Sequence, residues 1–445
     1  MSSDTPTASR PSGPLSGRIT APGDKSISHR AIMLGGMADG VSTVSGLLEG
    51  ADIMSTANAM RALGAVVERM GEGAWRIEGV GARGLGAPVG PVDCGNAGTG
   101  VRLLMGAVAG YGVEATFTGD ESLRSRPMRR ITDPLSLMGA AFEDDKEGRL
   151  PMTLLPGDRL QAVTYETPKA SAQIKSAVLL AALRAAGETT VTEKPSRDHT
   201  ETMLRAFGRE VRVEPHGDGR DRIRVEGSLE PLRATHIDVP GDPSSAAFAV
   251  VAALIVPESD VVVDGVMLNP RRDALYDALR AMGADIAVEN ERTVGGGERV
   301  ADIRARHSQL TGITVDPARA ADMIDEYPIL AVAAAFASGT TEMRGIGELR
   351  VKESDRISAT AALLSLNGVD VEEQEDGLSV TGGAVPGGGT VPTHHDHRIA
   401  MSALVLGLGS ERGTAVDDAA MIATSYPDFF AHMSALGAEI DRNGA

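Results

Sequence analysis

Apolar positions recur along this chain in one arrangement. A Leu or Met stands four residues before a glycine at Met60/Gly64, Leu135/Gly139, Leu204/Gly208, Leu279/Gly283, Leu364/Gly368 and Met433/Gly437, usually with another apolar residue just before the glycine. That spacing is the buried stripe of an amphipathic helix, and glycine is where such a helix stops, because it takes the left-handed C-cap conformation without steric cost. Apolar or alternating segments follow most of these glycines, beginning near Val66, Ile286 and Val369. Charged and Gly-rich turns come next, then strand-like stretches at Trp75–Glu78, Arg222–Glu226 and Leu378–Thr381. Each unit therefore reads as helix plus strands, and six units of about 70 residues suit two domains of three better than a solenoid, whose repeats run to about 20–50 residues.

The longest apolar stretches, near Ala249–Val256 and Ile329–Ala337, fall short of the roughly 18 residues that a membrane span needs. The hydrophobic fraction of 42% over 445 residues supplies large cores, and length alone would suggest roughly three domains. The net charge of −18, without basic runs, argues against nucleic-acid or anionic-membrane partners, which depend on clustered Lys and Arg. A single cysteine, Cys94, excludes an internal disulfide framework. Residues 1–13 are Ser/Thr/Pro-rich without an apolar core, and read as a disordered tail rather than a signal. The expected location is the cytoplasm.

Several segments carry candidate chemistry. Ala21–Ala31 places Pro-Gly before an Asp N-cap and then Lys25, Ser26 and Arg30 in the first turns of a helix, an outline of an anion site or simply a solvated helix start. Asp93–Arg102 is a Gly-rich turn running into an apolar helix, without the Gly-Lys-Ser/Thr of a P-loop. Cys94 beside it reads as a small buried hydrophobe before it reads as a nucleophile. Gly79-Val-Gly81-Ala-Arg-Gly84 matches a dinucleotide fingerprint only as a string, since the Pro88 and Pro91 that follow prevent a helix from opening there. In His394-His-Asp-His397 the Asp reads as a helix cap rather than part of a metal site. Arg124, Arg126, Arg129 and Arg130, and Lys352 with Arg356, are each compatible with a solvated face. Taken with Lys25 and Arg398 in so acidic a chain, they suggest a cleft for a substrate carrying several negative charges. Asp322, Asp325 and Glu326, just before the apolar run from Pro328, are either N-caps or general acid/base groups.

In order along the chain, Pro22-Gly-Asp-Lys-Ser-Ile-Ser-His-Arg30, Asn96-Ala-Gly-Thr99, Arg126-Pro-Met128, Ser171-Ala-Gln173-Ile-Lys-Ser-Ala, Arg350-Val-Lys-Glu-Ser-Asp-Arg356 and Asp396-His-Arg398 closely resemble the motifs of the 3-phosphoshikimate 1-carboxyvinyltransferase (5-enolpyruvylshikimate-3-phosphate synthase) family. The resemblance runs from Leu15 to Ala438. It implies an α/β (α+β) fold, a two-domain inside-out barrel of six βαβαββ repeats, three per domain, with the active site in the interdomain cleft. Residues 14–21 plus 240–445 would form one domain and 22–239 the other. The implied reaction transfers the enolpyruvyl group of phosphoenolpyruvate to the 5-hydroxyl of shikimate 3-phosphate, with no metal or organic cofactor.

By the same resemblance, Lys25, Ser26, Arg30, Ser171, Ala172 and Gln173 would hold shikimate 3-phosphate. Arg126, Arg356 and Arg398 would clamp phosphoenolpyruvate beside Gly98 and Thr99, with Lys25 spanning both substrates. Asp325 would be the base at the 5-hydroxyl, and Glu353 with Lys352 would carry protons at the methylene carbon. Closure of the domains would exclude water. Two departures stand out: Thr424 where one branch of the family carries Lys, and Glu348 where it carries Asn. These resemble a second sequence class whose members often tolerate glyphosate. Tolerance in some depends on Ala at the position of Gly98, so this chain is expected to be sensitive.

The rival acceptor is a nucleotide sugar, as in UDP-N-acetylglucosamine 1-carboxyvinyltransferase, which commonly uses a cysteine in the loop equivalent to 119–128; here that loop has none. The RNA 3'-terminal phosphate cyclase group is disfavoured by the charge and by an aromatic content of 3%. A non-catalytic anion-binding protein would leave Asp325 or Arg126 dispensable. A monomer without nucleic-acid or membrane partners is expected.

Overall fold

The computed structural model describes residues 7–144, 147–168 and 170–441. The chain forms two compact units, residues 1–22, 240–293 and 299–445 in the first and residues 23–239 with 294–298 in the second. The short piece 294–298 corrects the sequence reading, which left it in the first domain. It joins the tip of a hairpin, Asp285–Thr293 with Arg299–Arg306, whose strands are in the first unit. The signals that would mark it are backbone bonds, and a Gly-Gly-Gly turn shows only that the hairpin reverses.

Each unit is built on three inner helices. In the first these are Pro243–Ile255, Tyr327–Ala335 and His397–Gly409, which pack on one another. Every residue of the first two is buried, as expected of helices that are apolar on all sides and so offer solvent no face. In the second unit the inner helices are Lys25–Met37, Gly98–Ala109 and Ala172–Ala182. The last two approach so closely that a Cβ on Gly106 would lie 2.2 Å from the Ala177 carbonyl oxygen, so only glycine fits there.

Six outer helices, Ala51–Ala62, Arg129–Leu137, His199–Ala206, Ala274–Ala281, Arg356–Leu366 and Phe429–Ala435, end just before the six glycines of the repeat. Gly64, Gly139, Gly208, Gly283, Gly368 and Gly437 all have φ between 80° and 104°. Antiparallel pairs follow as expected: Val66–Gly71 with Ala74–Glu78, Arg212–His216 with Arg220–Glu226, and Asp370–Gln374 with Gly377–Gly382.

The amino-terminal tail is a correction. Thr7–Ser9 is a strand inserted between Thr414–Val416 and Ile440–Asp441, antiparallel to both, and it completes the last repeat's sheet. Thr7 and Ser9 are buried. Three small residues carry no hydrophobic alternation, and their partners lie some 400 positions away, so the local sequence gives no strand signal. Residues 1–6 of that tail lie outside the described residues. Among the described residues no helix is long and apolar enough to cross a membrane.

Candidate functional site

In the second unit, Asp24 caps the helix Lys25–Met37 by accepting from the Ile27 amide at 2.8 Å, as the sequence suggested. Lys25, in the first turn, meets Asp52 at 2.5 Å. Arg30, one turn on, is buried: Nε donates to Thr200 at 2.7 Å, Nη1 to the Ser26 carbonyl at 2.9 Å and Nη2 to Ser176 at 2.8 Å. Burial lowers its pKa to about 10. Its guanidinium therefore both presents charge and fixes the Ser26 turn.

A second group gathers at the starts of the other two inner helices. The Gln173 side-chain oxygen accepts from Arg102 Nη1 at 3.0 Å and from Arg130 Nη2 at 3.1 Å, while its amide donates to the Thr99 hydroxyl at 3.1 Å. Two cationic donors on the oxygen settle which way this amide points. Arg126 Nη2 donates to Asn96 at 2.6 Å, which holds the guanidinium over the turn that begins at Gly98. Ser171 caps the helix Ala172–Ala182, so Ser171, Ala172 and Gln173 occupy its cap and first two positions. The fold thus brings Gly98, Thr99, Arg126 and Gln173 together. Arg102, Arg130 and Asp52 were not singled out as site residues from sequence: an Arg or Asp at a helical position reads as a solvated face until tertiary structure supplies its partner. Cys94 is buried, its thiol pushed up to about 12 by that burial, so it holds no thiolate at neutral pH.

In the first unit the centre is Arg356, 1% exposed. Nε donates to Asp396 Oδ2 at 2.7 Å, Nη1 to Asp325 Oδ1 at 3.1 Å and Nη2 to Glu353 Oε2 at 2.7 Å. Burying a guanidinium costs several kcal/mol, and in a medium of effective dielectric about 20 a carboxylate at 4 Å returns roughly 4 kcal/mol. Three carboxylates in hydrogen-bond contact hold it charged. Lys352 lies 3.8 Å from the same Asp325 oxygen that Arg356 engages. Burial would raise the Glu353 pKa, but Arg356, His397 and Lys352 together outweigh it and hold the carboxyl below its ordinary range. Asp396 is likewise held low against burial by Arg356 and His397.

Asp396 also caps the helix His397–Gly409 through the Arg398 amide at 2.9 Å, which resolves the His394–His397 run in favour of the cap. The carboxylates before Pro328 do not play that part. Glu326 stands at the cap position of the helix Tyr327–Ala335 without a side-chain bond to it. It instead accepts from the Ser244 hydroxyl and lies 3.8 Å from Arg398 Nη1. Asp325, Lys352, Glu353 and Arg356 thus form one cluster; the Arg398 backbone amide is tied to it through Asp396, while the Arg398 guanidinium lies beside Glu326. Thr424 closes its own turn through the Met421 carbonyl at 2.7 Å. Gly81–Arg83 is a single 3-10 turn rather than the start of a long helix, so the fingerprint-like string there is accidental.

This geometry can do acid/base work at carboxylates set on one buried cation, and can receive anions at helix starts lined with Arg and Lys. Comparison with known proteins is unambiguous. The model of the EPSP synthase (3-phosphoshikimate 1-carboxyvinyltransferase) family matches residues 9–433. The 3-phosphoshikimate 1-carboxyvinyltransferase of Afipia carboxidovorans is 58% identical over 437 residues, 98% of each chain. That of Parvibaculum lavamentivorans is 58% identical over 431 residues, 96% of this chain and 95% of the relative. A solved EPSP synthase from Acinetobacter baumannii superposes with a TM-score of 0.88 at 42% identity, covering 98% of this chain and 99% of that one. The chain belongs to the EPSP synthase, or 3-phosphoshikimate 1-carboxyvinyltransferase, family.

Proposed function

We propose that this chain transfers the enolpyruvyl group of phosphoenolpyruvate to the 5-hydroxyl of shikimate 3-phosphate, giving 5-enolpyruvylshikimate 3-phosphate and inorganic phosphate. The observation that carries the reading is 58% identity over 98% of the chain to an enzyme of that name. The nucleotide-sugar alternative is not favoured, since both relatives and the family model bear the shikimate name.

The residues divide the chemistry as follows. Lys25, Ser26, Arg30, Ser171, Ala172 and Gln173 hold shikimate 3-phosphate, with Gln173 kept in orientation by Arg102, Arg130 and Thr99. Arg126, Arg356 and Arg398 receive phosphoenolpyruvate, and Gly98 and Thr99 offer it the start of their helix. Asp325 removes the proton of the 5-hydroxyl as the oxygen adds to C2 of phosphoenolpyruvate. Protonation of C3 in the same step comes from the Lys352/Glu353 pair. Arg356, His397 and Lys352 favour the ionised form of Glu353 against burial, which suits it to take the C3 proton back when the tetrahedral adduct expels phosphate. The negative charge of two bound substrates opposes its ionisation and lets it donate in the first step. No step requires a metal.

We read the chain as a cytoplasmic monomer, which a sedimentation run at micromolar concentration tests; a dimer boundary would overturn the monomer. The reaction is tested by phosphorus NMR of both substrates incubated with the protein. One inorganic phosphate should appear for each phosphoenolpyruvate lost, while the acceptor keeps its own phosphate in an enol ether. Unchanged phosphoenolpyruvate would contradict the proposal.

A further inference from the structure

Lys175 takes no part in the chemistry above, yet it is among the most buried charged side chains of the second unit, 2% exposed. It sits on the first turn of the helix Ala172–Ala182, its amide donating to the Ser171 carbonyl at 3.1 Å. Its ammonium lies 2.8 Å from Glu193 Oε1 and 2.7 Å from Glu201 Oε1, and 3.5 Å from the Ser196 carbonyl. An ammonium has three protons, and here three acceptors stand around it. Burial would lower its pKa, but Glu201 and Glu193 outweigh that and raise it. The neighbouring position repeats the link: Ser176 and Thr200 share a hydrogen bond at 2.7 Å, and Arg30 donates to both. Glu201 also supports the charge of Arg30. Lys175 is thus enclosed with Glu193 and Glu201, and Glu201 links that pair to Arg30, itself one of the residues assigned to shikimate 3-phosphate.

Enclosed ion clusters are an inefficient way to stabilise a fold, because well-packed apolar replacements of similar volume are often neutral or better. What such a cluster does supply is fixed geometry: an ammonium held by three acceptors tolerates neither sliding nor rotation of the helix that carries it. We propose that Lys175 is a positioning residue that locks the helix start bearing Ser171 and Gln173 onto the segment 193–201, and so sets affinity for the phosphorylated acceptor without touching it. The inference rests on the acceptor role given to Ser171 and Gln173.

The test uses two double variants, K175M/E193Q and K175M/E201Q. Each removes the clamp; K175M/E193Q keeps Glu201 near Arg30, and K175M/E201Q keeps Asp24 and Glu298 near it, so that whichever folds can be read. Binding of shikimate 3-phosphate is measured by calorimetry and both KM values by steady-state kinetics, in the parent and in a Gln173→Ala background. The expected result is a roughly tenfold weaker acceptor, with the KM for phosphoenolpyruvate within about twofold. In the Gln173→Ala background the loss should shrink to less than about threefold, because residues acting through one another are not additive. Equal weakening of both substrates, unchanged acceptor binding, or full additivity with Gln173→Ala would overturn the positioning role alone. A parent that binds no shikimate 3-phosphate would overturn the acceptor reading and this proposal with it.

Discussion

Arg126 Nη1 lies 2.8 Å from the point where a Cβ on Gly98 would stand, with Arg102 Nη1 at 3.3 Å. A methyl there must displace the Arg126 guanidinium, whose other terminal nitrogen is bonded to Asn96. If Arg126 clamps phosphoenolpyruvate, Gly98→Ala raises the KM for that substrate by about tenfold and leaves the acceptor KM nearly unchanged. The parent should be inhibited by glyphosate well below millimolar concentration at limiting phosphoenolpyruvate, and Gly98→Ala should shift the inhibition curve upward. A flat curve for the parent would contradict the room assigned to glycine at this position.

Asp325 accepts from Arg356 and lies near Lys352 through one oxygen. Asparagine keeps an acceptor of the same shape and loses the basicity. Asp325→Asn should lower kcat by about 10²–10⁴ and change the dissociation constant of shikimate 3-phosphate less than about threefold. Full turnover in the variant would remove Asp325 from the role of base.

The Arg356–Asp396 pair is a stability element as well as a scaffold. Asp396→Asn weakens two charge-assisted bonds to a guanidinium that is almost wholly enclosed, and also the cap of the helix His397–Gly409. A loss of about 2–3 kcal/mol is expected, read as a lower denaturant midpoint with an unchanged slope. No loss would mean that Asp325 and Glu353 alone satisfy Arg356.

His29 is fully buried, its Nδ1 2.8 Å from the Thr56 hydroxyl, and burial lowers its pKa to about 3. Between that value and the ordinary pKa of about 6.5, the unfolded chain takes up a proton that the folded chain refuses. Stability from this group is complete above the upper value and falls as the pH drops. Acidifying from pH 6.5 to 4 should cost about 3 kcal/mol through His29. Asp396, whose pKa is also depressed, loses its contribution in the same direction, so the decisive measurement is the difference in slope between the parent and His29→Gln. Equal slopes would assign acid sensitivity to the carboxylates.

How legible these features were follows from what each depends on. The six helix ends could be read because a residue at φ near 90° is almost obliged to be glycine, and Gly64 through Gly437 announce themselves. The caps Asp24 and Asp396 were legible for the same local reason. Glu326 looked like a third cap and is not one, because Ser244 and Arg398 offer its carboxylate a tertiary partner that no neighbouring residue reveals. Arg102 and Arg130 on Gln173 were hidden likewise, since the three come from different elements. The strand Thr7–Ser9 was illegible because its register against Thr414–Val416 is set by backbone bonds, to which Thr-Ala-Ser contributes no pattern.

The central claim is tested most directly by phosphate release from phosphoenolpyruvate with purified protein, run in parallel with shikimate 3-phosphate and with UDP-N-acetylglucosamine as acceptor. Release with shikimate 3-phosphate alone is predicted. Release only with the nucleotide sugar would contradict the acceptor, and release with neither would contradict the enolpyruvyl transfer itself.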